Sequence, residues 1–97
     1  MAYKTYTVSF EIEYDDTYDD RYSSLNDKLR GYTHWKETTS FFTIRTDEAF
    51  REFARSLYFD TNLLESKDKL LVINTHSNKA FYRGKDKPPE RFFDFLD

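Results

Sequence analysis

Ninety-seven residues, of which 38% are hydrophobic and 34% charged, describe one small domain with a single modest core. A net charge of −3 argues against the broad basic footprint of a protein that coats nucleic acid, and the lack of cysteine excludes a disulfide framework, a thiolate zinc site and a thiol nucleophile. The start MAYKTY carries none of the regions of a signal peptide, and apolar runs such as Leu70 to Ile73 are too short to span a bilayer, so a cytoplasmic protein with no membrane contact is expected.

The chain opens with near-perfect alternation. Tyr6, Val8, Phe10, Ile12 and Tyr14 fall on one side, and Thr5, Thr7, Ser9, Glu11 and Glu13 on the other, which predicts a long strand with one apolar and one polar face. Asp15 to Asp20 reads as an acidic turn in which Asp19 or Asp20 caps a helix. That helix runs from about Asp19 to Arg30, with Tyr18, Tyr22, Leu25 and Leu29 on one face and Gly31 at its close. Trp35 to Arg45 returns to extended character, dense in β-branched and aromatic residues, and predicts a second strand. Thr46, followed by Asp47 and Glu48, looks like the cap of a second helix, which places Phe50, Phe53, Ala54 and Leu57 on one side and ends near Asp60 to Asn62.

Leu70 to Ile73 is a continuous apolar run suited to a buried strand, and Lys79 to Tyr82 a short edge strand. Pro88 and Pro89 precede ERFFDFL, a last helical turn or two opened by proline. This order predicts an α+β fold of the ferredoxin-like βαββαβ plan, two helices on one face of an antiparallel sheet, as a single domain over 1–97 with 85–97 as a C-terminal extension. The polar face of the first strand is left for water or a second subunit, and a two-fold homodimer is the commonest way to cover it.

Several residues carry candidate chemistry. Glu11 and Glu13, about 7 Å apart on one strand face, have the spacing to help hold a divalent metal, or else they keep an exposed face soluble. The loop DDTYDD gathers four carboxylates, yet lacks the alternating oxygen ligands, mid-loop glycine and final glutamate of a calcium loop, and reads as a solvated turn. His34 and His76, the only histidines, have no second ligand at metal spacing; each is a general-base candidate or an ordinary surface histidine. No serine sits in a nucleophile elbow, and Gly31 and Gly84 alone cannot build a phosphate-cradling loop, so no nucleotide cofactor is expected.

Charge is unevenly spread. Residues 1–20 hold Lys4 against six acidic groups, whereas 79–91 hold Lys79, Arg83, Lys85, Lys87 and Arg91 against Asp86 and Glu90. The basic end either interleaves with Phe81 and Tyr82 to hold single-stranded nucleic acid, or leaves Phe81 in the core and its charges in water.

VSFEI, LNDKL, TTSFFTIRT, DKLLVI and KAFYRG together resemble the ferredoxin-like group of SinR-like bacterial proteins, and more distantly the small CRISPR adaptation nuclease and virulence-associated protein D, an endoribonuclease toxin. The resemblance spans roughly Tyr6 to Gly84 and implies a homodimer. In the nuclease branch it also implies a metal-binding carboxylate near the end of the first strand, where Glu11 stands. That branch has aspartate there, usually followed by a basic stretch, whereas here acidic EYDDTYDD follows and repels a phosphate backbone.

The leading expectation is therefore a homodimeric, non-enzymatic interaction module. The alternatives are a magnesium- or manganese-dependent nuclease, with Glu11 as ligand and catalytic residue, His34 as base and Arg83 as phosphate contact, and a nucleic-acid adapter that uses Lys79, Arg83 and Lys85.

Overall fold

The computed structural model describes residues 3–84 apart from 39, 75 and 78 and the side chain of residue 37. Its elements run β1 (Lys4–Glu11), α1 (Tyr18–Arg30), β2 (Thr33–Thr38), β3 (Phe41–Thr46), α2 (Phe50–Phe59), β4 (Lys69–Asn74) and β5 (Lys79–Gly84). The strands form one antiparallel sheet in the order β2-β3-β1-β4-β5. The α+β class is as expected, with five strands where a βαββαβ plan has four.

Alternation along β1 decides which face is covered. Tyr6, Val8 and Phe10 are each 5% exposed or less. Across the register Val8 meets Phe42 and Val72, Tyr6 meets Ile44, and Phe10 meets Leu70, so all of these side chains share one face. Leu25 and Leu29 of α1 and Phe53, Ala54 and Leu57 of α2 complete the same core. Tyr6 lies at its centre, 5.0 Å from the Phe53 ring, with its hydroxyl donating to the Glu48 carbonyl at 2.7 Å. A buried aromatic of this kind stabilises by about 1.5–3 kcal/mol through area alone, provided its hydroxyl finds such a partner.

The structure departs from the sequence expectation at four boundaries. The single strand expected over Trp35–Arg45 is the hairpin β2–β3, in which the Ser40 amide donates to Thr38 Oγ1 where the chain turns. Helix α2 starts at Phe50 and not beside Thr46, because Thr46 still pairs with Lys4 in the sheet and its hydroxyl accepts from the Glu48 amide. Helix α1 begins at Tyr18 with Thr17 at its cap position, leaving Asp19 and Asp20 in the first turn. The first strand ends at Glu11, so Ile12 to Tyr14 leave the sheet and Tyr14 is 86% exposed. The expected helix in ERFFDFL lies outside the described residues.

Strand β4 is an interior strand, as its apolar run predicts, and β5 forms an edge. At the end of β5 the backbone requires glycine. Gly84 has φ +155°, and a Cβ there would lie 2.3 Å from the Asp68 carbonyl oxygen and 2.7 Å from Lys69 Cα. Gly84→Ala is expected to lower stability by roughly 1–3 kcal/mol, seen as a drop of several degrees in thermal unfolding by circular dichroism; an unchanged midpoint would show that β5 does not close on Asp68.

Candidate functional site

One end of the sheet is organised by a buried ion pair. Arg21 is 2% exposed and Asp68 is buried as completely, and Arg21 Nη1 donates to Asp68 Oδ1. The guanidinium also donates from Nη2 to the Glu13 carbonyl at 2.9 Å and to Asp15 Oδ1, and from Nε to Thr17 Oγ1 at 3.0 Å. Asp68 in turn accepts from the Glu13 amide at 3.1 Å and the Leu64 amide at 3.0 Å. Both carboxylate oxygens thus accept from a backbone amide, the kind of additional bonding that lets a buried pair be tolerated. This is why β1 stops at Glu11: both backbone groups of Glu13 are taken by the clamp and not by a neighbouring strand.

Asp15 bridges the clamp to solvent, accepting from Lys67 Nζ at 2.5 Å and from the Thr17 amide at 2.9 Å. The Lys67 ammonium above all, with the Thr17 amide and Arg21 after it, holds the Asp15 carboxyl well below the usual carboxylate range. None of Arg21, Asp15, Lys67 or Asp68 stands out as functional in the sequence. The available signal was Arg21 at the head of the Leu25, Leu29 stripe, an arginine four residues before a buried leucine.

The opposite face of the sheet is covered by no described element. Its centre is a hydroxyl stripe, Thr5, Thr7 and Ser9 on β1. The register places Phe41 and Thr43 beside it on one side and Leu71 and Ile73 on the other, with Trp35 beyond Thr43 and Ala80 and Tyr82 beyond β4. Trp35 is 66% exposed and Phe41 36%.

The sequence-predicted site residues are spread over the molecule. Glu11 lies at the end of β1 on the uncovered face, in register with Lys69. His34 lies on the helix-bearing face, opposite Ile44, with its ring against Phe42 and Nδ1 2.8 Å from the Tyr32 carbonyl. Glu11 and His34 therefore face opposite sides of the sheet and do not converge on one substrate. Glu13 leaves the strand, so it does not form the expected carboxylate pair with Glu11. Arg83 pairs with Leu70 on the helix side, lies over the rings of Tyr58 at 4.9 Å and Phe59 at 5.4 Å, and donates to Glu65 at 3.1 Å. Lys79 is exposed at the start of β5, and Phe81 packs against the core. His76 is exposed in the β4–β5 turn, and Lys85 lies outside the described residues. Among the described residues no three histidine, aspartate or glutamate side chains gather in a group able to hold a metal ion, and no helix is long and apolar enough to cross a membrane.

A second feature lies on the α1 side of the same rim. The rings of Tyr14, Tyr18 and Tyr22 form a ladder with centroid spacings of 5.2 and 5.8 Å, continued to Phe10 at 6.1 Å. Phe10, Glu11, Ile12, Tyr18, Tyr22 and Ser40 enclose an open cleft of about 210 Å³. No protein-family model, no curated protein and no solved structure matches this chain.

The clamp carries a pH signature. Because the folded value of Asp15 lies below its unfolded value, its contribution is complete above about pH 4 and is lost as pH falls through the depressed folded value. Asp15→Asn should therefore lower the urea midpoint at neutral pH and flatten the acid limb of stability against pH; parallel acid limbs for the two proteins would show that Lys67 and Arg21 do not hold this carboxylate.

Proposed function

We propose that the chain is a non-enzymatic interaction module that pairs with a second copy of itself through the uncovered sheet face. The order β1, α1, β2, β3, α2, β4 supports a ferredoxin-like reading with β5 as an added edge, in keeping with the resemblance to SinR-like proteins. The observation that carries the proposal is the self-complementary pattern of that face. A two-fold axis running along β1 lays the Thr5, Thr7, Ser9 stripe against its own copy and places β3 over the other copy's β4, and β2 over its β5. Phe41 then meets Leu71, Thr43 meets Ile73, and the protruding Trp35 falls over Ala80, the smallest side chain of the face. The packing sets large over small across a hydroxyl centre; the charges of this face lie towards its ends, Arg45 beside Thr5 and over the Tyr3 ring at 5.3 Å, and Glu11 in register with Lys69.

Area sets the strength of such a contact. Five strands at ~4.8 Å spacing and six residues at ~3.3 Å rise give a face of roughly 500 Å². Two copies bury on the order of 1,000 Å², the lower bound for a specific interface, so the dimer is reversible and concentration-dependent. Sedimentation velocity over a concentration series should show a monomer–dimer equilibrium, and Trp35→Glu should raise its dissociation constant at least tenfold, about 1.4 kcal/mol, with the fold intact by circular dichroism. A monomer at every concentration, or a dimer indifferent to Trp35→Glu, overturns the reading.

A further inference from the structure

The cleft between α1 and the end of β1 has a chemistry that the pairing of sheet faces does not use. Its lining includes three aromatic residues, Phe10, Tyr18 and Tyr22, and one acidic residue, Glu11. Aromatic faces present negative potential, which suits a cation and not an anion. The chain itself demonstrates the preference at the far end of the ladder: the Lys36 ammonium sits 5.9 Å from the Tyr22 centroid and 5.3 Å from that of Phe42, fixed by a hydrogen bond to Asn26 Oδ1 at 3.1 Å.

The chain segment that borders the opening is acidic, while Lys36 lies against the Tyr22 wall and Lys69 is in register with Glu11. The ten residues from Glu11 to Asp20 include six acidic and no basic groups. Arg21 and Lys67 engage Asp15 in the clamp, while Asp16, Asp19 and Asp20 remain exposed at the start of α1. Such a surface attracts cations and repels phosphate. A space of about 210 Å³ takes one long side chain and is too small for most drug-sized ligands.

We propose that this cleft binds a lysine or arginine side chain from a basic peptide segment of a partner protein, the aliphatic stem lying along Tyr18 and Tyr22 and the charged head directed to Glu11. Exposed Tyr14 extends the ladder and receives a second basic residue of the same segment. The aromatic walls, Tyr14, Tyr18 and Tyr22, lie on the helix side of the sheet, and Glu11 at the rim is the one residue this cleft shares with the sheet-face contact.

The test is a nuclear magnetic resonance titration of the full chain with a short glycine–serine peptide that carries two lysines and one arginine. A matched peptide with norleucine and citrulline at those positions is the control. The charged peptide should produce saturable shifts confined to Phe10–Ile12, Ser40 and the Tyr14–Tyr22 segment, weakening as salt rises, and the neutral peptide none. Tyr18→Leu should weaken binding at least tenfold and Glu11→Gln at least threefold. Tyr14→Ala, at a position 86% exposed, should weaken it measurably even where Tyr18→Leu perturbs folding. Diffuse, non-saturating shifts, equal binding of the neutral peptide, or affinity unchanged in both Glu11→Gln and Tyr14→Ala would overturn the proposal.

Discussion

The Arg21–Asp68 pair is the contact on which one end of the sheet depends. It joins the loop after β1, the first turn of α1 and the turn before β4, three segments far apart in sequence, within one buried polar cluster. Removing one partner of a buried pair leaves a charge without compensation and typically costs about 3–5 kcal/mol, a large share of the ~5–15 kcal/mol that stabilises a domain. The pair earns its place less by attraction than by direction: it ends β1 at Glu11, turns the chain into α1, and seats Asp68 where the close of β5 at Gly84 rests on it. The rim that carries Glu11, and with it the aromatic cleft, has its shape because of that turn.

A second constraint follows from counting layers. Two helices cover one face of a five-stranded sheet, and among the described residues nothing covers the other. A sheet face destined for water alone alternates to polar residues throughout. Here β1 does so, while β2, β3, β4 and β5 bring Trp35, Phe41, Leu71, Ile73 and Tyr82 to the same side. The face thus carries hydroxyls at its centre and apolar groups on both flanks, in an arrangement nearly symmetric about β1.

Much of this was legible in the residues. The period-two alternation from Tyr6 to Phe10, the helical spacing from Leu25 to Leu29 and from Phe53 to Leu57, and the LLVI run each specify an element because burial repeats with the backbone's own period. The β2–β3 hairpin was hidden because Thr38 and Ser40 make a turn without the glycine or asparagine that usually marks one. The strand end was hidden because Ile12 and Tyr14 keep the alternation going while a long-range contact to Asp68, 55 residues away from Glu13, diverts the backbone. Glu11 was legible as a carboxylate on the polar face of the first strand. The tyrosine ladder was not, since Tyr14 read as strand, and Tyr18 and Tyr22 as part of a buried stripe that Arg21 in fact heads.

Because the chain has no cysteine, a single engineered thiol reports directly on the central claim, the two-fold packing of sheet faces along β1. Thr7→Cys at the middle of the hydroxyl stripe, treated with a short bismaleimide at a concentration where dimer forms, should yield a covalent dimer, while Ser23→Cys on exposed α1 should stay monomeric. Equal cross-linking at both positions, or none at Thr7→Cys, would contradict the claim that copies meet through this face.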